Sequence, residues 1–261
     1  MTIFKHELKQ NRTAFLIWTI VISYMLGICI FIYPEMKDEM ENISTVFADM
    51  GSFSTAFGMD QINFGTLLGY YSIECGNVLG LGGAFFAALC GVGILAKEEK
   101  DHTAEFLLTH PVRRVKVITQ KLLAVITQII VLNVVVFSVV VLSLVAIGEN
   151  IPFKEMILLH SANLLVQIEL ASICFGISAF LRRGSVGIGL GVGVVMYFLN
   201  IISNITDTMS FLKYITPFAY ANGSEIVSEM TLDLKLVAVG SIYTIIGIVL
   251  AYKKYTRKDI A

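Results

Sequence analysis

The sequence predicts an all-α membrane protein of six transmembrane helices with both termini cytoplasmic. Three observations lead there. Of its 261 residues, 56% are hydrophobic and only 15% charged, where soluble domains carry about a quarter, and the mean hydropathy is +0.78. The apolar residues gather into runs of about twenty, the number a helix needs to cross the roughly 30 Å hydrocarbon core. Lysine and arginine alternate between rich and poor across successive connections, as the positive-inside rule expects of loops on opposite faces of a bilayer.

The runs place the spans at about Ala14 to Tyr33, Thr66 to Ala96, Leu122 to Ile147, Met156 to Leu181, Ser185 to Ile202 and Leu234 to Tyr252, within one transmembrane domain over residues 1–261. Met1 to Thr13 is polar, with Phe4, Leu8 and Phe15 near one helical face; it reads as a short interfacial helix or a plain flanking tail. Pro34 is expected to close the first span. The acidic connection that follows repeats Ile43, Val46, Phe47, Met50 and Phe57 at helical spacing, which predicts an amphipathic helix on the outer face. The second run is longer than a span requires, so its first turns are expected to project outward and bring Glu74 near the outer interface.

Charge sets the orientation. Lys5, Lys9, Arg12, Lys97, Lys100, Arg113, Arg114, Lys116, Lys121, Arg182, Arg183, Lys253, Lys254, Arg257 and Lys258 fall on one side. Lys37, Lys154, Lys213 and Lys235 fall on the other. The rich side is the cytoplasm. The four cysteines, Cys29, Cys75, Cys90 and Cys174, lie in or beside apolar runs; their spacing suits small buried side chains rather than disulfides or a zinc site.

The glycines Gly187, Gly189, Gly191 and Gly193 of the fifth run form two small-x-x-x-small pairs that let helices approach closely, in the membrane rather than after a strand, where a phosphate loop would sit. The fourth run carries His160, Asn163, Gln167 and Glu169. Asn163 and Gln167 share a face at i, i+4, and Glu169 does not extend that stripe. An intramembrane carboxylate is a functional candidate by default; the competing reading is a carboxyl group that locks two helices together. Glu74, Asn163, Gln167 and Glu169 are thus candidates for a pathway or for helix locking.

The segment from Lys97 to Lys121 is the longest charged interval. Glu98, Glu99 and Asp101 suit a helix N-terminus, Phe106, Leu107 and Leu108 form an apolar knob, and Pro111 stops the helix. A solvated loop needs no knob, whereas a helix docking in a partner's groove does. Signatures of catalysis are missing: there is no G-x-S-x-G, H-E-x-x-H or G-x-x-x-x-G-K-[ST] in the sequence, so the chain is not expected to bind ATP in the usual loop or to act as an enzyme itself.

The acidic pair Glu98-Glu99, His102-Thr103-Ala104-Glu105, Leu107-Leu108, Pro111-Val112-Arg113-Arg114 and Lys121, with Leu212-Lys213-Tyr214-Ile215-Thr216-Pro217-Phe218 before the last span, resemble the permease subunits of type 2 ATP-binding-cassette (ABC) transporters, mostly exporters. His102 stands where that family usually has glycine. The resemblance implies that Glu98, Glu99, Asp101, His102, Thr103, Glu105, Phe106, Leu107 and Leu108 belong to a cytoplasmic coupling helix contacting a separate ATPase subunit. It also implies that ATP and Mg²⁺ bind to that partner, that a second permease, identical or related, completes the pathway, and that the assembly sits in a bacterial plasma membrane. No cofactor, metal or nucleic acid is expected on this chain. The apolar interior favours export of an amphipathic or hydrophobic molecule such as a peptide antibiotic or drug. A sodium exporter using Glu169, Glu74 and Asn163 is one alternative, and a membrane anchor or sensor that recruits a partner without moving cargo is another.

Overall fold

The computed structural model describes residues 2–97, 113–182 and 185–257, with side chains at all of these except 38, 40–49, 60 and 207. Among the described residues there is no strand. Hydrocarbon offers no partner for a free peptide group, so a crossing segment must satisfy its own backbone, and helices are the form these runs take.

Helix α1 covers Thr2–Gln10 and α2 Arg12–Asp49. The short α3 (Ser52–Ala56) and a 3₁₀ turn (Met59–Gln61) follow. The second crossing is built from α4 (Leu67–Glu74), a π-helical stretch (Cys75–Gly82) and α5 (Gly83–Gly93). Then come α6 (Arg114–Ile147), α7 (Phe153–Ser178) and α8 (Val186–Ile205). Two 3₁₀ segments, Asp207–Tyr214 and Pro217–Ala221, lead through α9 (Gly223–Glu229) to α10 (Leu234–Arg257). Six of these helical runs are long and apolar enough to cross a membrane, as the sequence predicts, and an even number of crossings puts both chain ends at one end of the bundle.

Two boundaries differ from expectation for physical reasons, and the expected over-length of the second span has one too. Pro34 does not close the first span: it lies inside α2, which runs on to Asp49 and takes up the backbone of residues 43–47 that the sequence places in a separate amphipathic helix. Proline removes one donor, a loss that neighbouring groups can absorb in a membrane helix. The second span is over-long because a π segment inserts extra residues per turn. The third begins at Arg114, eight residues before Leu122, and at its far end Gly148, at φ 74°, closes it. There Gly148 N–H donates to Val145 O (3.2 Å) and Glu149 N–H to Leu144 O (3.3 Å), the paired bonds of a left-handed C-terminal cap.

The helices are not equivalent. In the most apolar windows of the second and fourth crossings 61% of residues are buried, against 17% for α8 and 22% for α10. Helix α7 is therefore central, packed chiefly on α5 and α10, while α2 packs on α6 and α8 on α5. The main core joins Leu26 and Ile30 of α2, Leu79, Phe86 and Ala87 of the second crossing, Ile129 and Val136 of α6 and Val166 and Leu170 of α7. The outward faces of α2, α6, α8 and α10 expose Leu, Ile, Val and Phe, the surface a bilayer would cover.

Candidate functional site

The polar residues of α7 divide between two faces. On the face toward the second crossing, Tyr71 Oη and His160 Nε2 share a 2.6 Å hydrogen bond. Asn163 Nδ2 donates to Leu159 O at 2.8 Å and approaches Cys75 Sγ at 3.7 Å. Gln167 Nε2 donates to Leu79 O at 3.2 Å, inside the π segment, and Gln167 Oε1 accepts from Asn133 Nδ2 of α6 at 2.7 Å. Glycine makes this fit possible. A Cβ on Gly80 would stand 2.7 Å from Asn163 Oδ1, and one on Gly83 would overlap the Gln167 amide. The i, i+4 pair read from the sequence is thus a polar ladder that ties α7 to the second and third crossings. Asn133 had no signal beyond being an amide in an apolar run.

Glu169 faces the other way, toward α10. It is 2% exposed, and Tyr220 Oη donates to its Oε2 at 2.9 Å. Burial, and then the adjoining carboxylate, pushes the Tyr220 phenol well above its ordinary range, so it remains a donor. Gly240 lies against the carboxylate, where a Cβ would overlap Oε2. Glu74 turns to a third neighbour, accepting from Cys29 Sγ of α2 at 3.8 Å. Glu74, Asn163 and Glu169 therefore do not converge. Among the described residues no cluster of His, Cys, Asp and Glu could hold a metal, and Cys29, Cys75, Cys90 and Cys174 are free thiols.

The glycines of α8 also divide. Added Cβ atoms at Gly189 and Gly193 would lie 2.9 Å from Val92 and Phe85 of α5, whereas Gly191 meets nothing within 4 Å and Gly187 only its near neighbour Ser185. One of the two predicted pairs packs within the chain. Beyond it, a cavity of about 60 Å³ between the second crossing, α8 and the stretch 218–223 is lined by Asn77, Asn163, Asn200, Asn204 and Asn222. Its polar lining is amide-rich, with no carboxylate or amine among the described residues.

Residues 98–112, which contain Glu98, Glu99, Asp101, His102, Thr103, Glu105, Phe106, Leu107 and Leu108, lie outside the described residues. What the structure does describe is how the chain on either side is held. Glu7 of α1, 5% exposed, pairs with Lys121 Nζ at 2.8 Å and with Lys97 Nζ at 3.6 Å. Both ends of the charged interval read from the sequence thus meet one carboxylate. Lys121 is fully buried and also donates to Ile94 O at 2.8 Å. Ser178 Oγ at the end of α7 accepts from Leu95 N–H (3.1 Å) and Ala96 N–H (3.3 Å). Asn11 Nδ2 donates to Gln128 Oε1 at 2.6 Å, and Phe4 N–H to Gln120 Oε1 at 3.2 Å, which lays α1 along α6. Glu7 was missed in the sequence because it stands among Lys5 and Lys9, where a carboxylate reads as solvated. The available signal was its helical face, shared with Phe4, Leu8 and Asn11.

No curated protein matches the chain in a sequence comparison. The family described as ABC-2 family transporter protein matches residues 1–260. With six apolar crossings and that match over nearly its full length, the chain belongs to the ABC-2 family of transporter proteins and is a multi-pass membrane permease.

Proposed function

We propose that the chain is the permease subunit of an ATP-driven exporter, moving an amphipathic or hydrophobic molecule out of the cell with power from a separate cytoplasmic ATPase. Glu98 to Leu108 form the docking surface for that ATPase, which binds the ATP and Mg²⁺, and a second permease, identical or related, completes the pathway. The observation that carries this reading is the way residues 94–97 are gripped from three helices at once: by Lys121 of α6, by Ser178 of α7 and by Glu7 of α1. A push applied just beyond Lys97 is then transmitted to three helices instead of being absorbed by a loose connection. Helix α7 carries it onward, since one of its faces is tied to the second crossing and the other packs on α10. An organic cargo suits the apolar interior better than a metal ion does, because Glu74 and Glu169, the carboxylates that would ligate an ion, face different neighbours.

The test is transport. The permease and the ABC ATPase that co-purifies with it are reconstituted together in inside-out vesicles, and ATP-dependent accumulation of a fluorescent amphiphile is followed. Accumulation that requires both chains supports the reading. Binding of the ATPase with unchanged hydrolysis and no accumulation would make the chain an anchor instead.

A further inference from the structure

The face of α7 that carries Glu169 borders a cavity of about 180 Å³ between α7 and α10, lined also by Leu165, Ile168, Tyr220, Val237, Gly240, Ser241, Thr244 and Ile245. Ser241 and Ile245 are exposed on the side of the bundle, so the cavity opens laterally. Glu169 lies nine residues from the end of α7, about 13 Å along the axis at helical rise, well inside the hydrocarbon depth. Its Oε2 accepts from Tyr220, but the buried Oε1 has no partner among the described residues, and no ion pair there involves it.

A carboxylate kept only to lock two helices would use both oxygens on the facing helix. Here the facing residue is Gly240, which supplies room and no side-chain donor. The α7–α10 contact is secured elsewhere, two turns along, where a Cβ on Gly176 would stand 2.8 Å from Gly247 O. The site thus combines one half-satisfied carboxylate, three hydroxyl-bearing side chains and four aliphatic ones. Its volume decides between occupants. At roughly 30 Å³ for a water's share of liquid volume, the cavity is about six waters large, far more than a dehydrated metal ion needs and enough for a small organic cation.

We propose that this cavity binds the ammonium head of a cationic amphiphile, with Glu169 as counter-charge, Tyr220 orienting the carboxylate, and Leu165, Ile168, Val237 and Ile245 covering the apolar part. This names the cargo class within the permease reading and rests on that reading for its role in transport, while the binding itself can be measured without it.

The probe is phenyltrimethylammonium, compared with tert-butylbenzene, its uncharged isostere. Both are titrated against the purified full chain in phosphatidylglycerol vesicles, whose lipid heads carry no ammonium. Wild type is expected to bind the cation at least about tenfold more tightly than the isostere, because a buried carboxylate attracts the quaternary cation through its charge and has no such attraction for the neutral isostere. Glu169→Gln should erase that preference while leaving the isostere's affinity unchanged, and Gly240→Ala, which fills the space beside the carboxylate, should weaken both. Equal binding of cation and isostere by wild type would overturn the proposal, as would retention of the preference in Glu169→Gln or displacement of the cation by millimolar Na⁺. If Glu169→Gln fails to fold, Gly240→Ala still decides: undiminished binding of both ligands by that variant would overturn the proposal. Vesicle transport of an uncharged amphiphile by the wild-type complex separates this outcome from failure of the permease reading: transport without cation preference sinks only the site.

Discussion

Removing the Glu7 carboxylate should be among the most damaging single changes at the basic end of the bundle. Its partner Lys121 is fully buried at 2.8 Å, while Lys97 is 28% exposed at 3.6 Å. Glu7→Ala would remove the carboxylate 2.8 Å from the buried Lys121 ammonium and leave in place its bond to the Ile94 carbonyl. Breaking a buried pair from one side costs about 3–5 kcal/mol, and the surviving bond places this case near the lower end. Losing the more exposed Lys97 contact through Lys97→Ala should cost about 0–1 kcal/mol. Replacing both buried members, Glu7→Leu with Lys121→Met, should recover most of the loss, because two apolar side chains carry no uncompensated charge. Reversible unfolding of the purified chain in mixed micelles, titrated with a denaturing detergent, measures all four proteins. A loss below about 1 kcal/mol for Glu7→Ala, or a double variant no more stable than Glu7→Ala, would refute the clamp.

Other expectations follow from the two faces of α7 and from α8. Gly83→Ala drives a methyl into the Gln167 amide and should destabilise by about 1–3 kcal/mol, the usual cost of overpacking. Gly191→Ala meets nothing within 4 Å and should stay within about 0.5 kcal/mol; equal effects in the same titration would contradict the assignment of packed and open glycines. Tyr220→Phe removes the hydroxyl that donates to Glu169 Oε2 and should cost about 1–3 kcal/mol, since a buried charged acceptor loses its donor. In Glu169→Leu, where the carboxylate is already gone, the same change should cost much less.

The class of the molecule and the number of crossings were legible because each follows from one quantity the sequence displays directly, the length of an apolar run. The split of the α8 glycines was half legible. Gly189/Gly193 and Gly187/Gly191 are offset by two residues and so by about 160° around a helix, which allows one pair to face α5 but does not say which. The polar stripe of α7 was visible at Asn163 and Gln167, yet its partners, the Leu79 carbonyl and Asn133, come from long-range packing that no local pattern carries. Pro34 misled for a related reason: proline commonly ends a helix, and a membrane helix tolerates it better, as α2 does by running on through it to Asp49. The π segment could not be read at all, since a run of apolar residues does not reveal how many residues each turn contains. Glu7 shows the opposite failure, a charge whose meaning comes from two lysines 90 and 114 residues away.

The central claim is that the interval between Lys97 and Lys121 couples the membrane helices to an ATPase. Co-purification of that ATPase with the permease carrying Leu108→Asp, or Glu105→Ala, tests it most directly, with membrane insertion checked in parallel. The account predicts normal insertion and loss of the ATPase from the purified complex. Recovery of the ATPase in undiminished amount with both variants would contradict it.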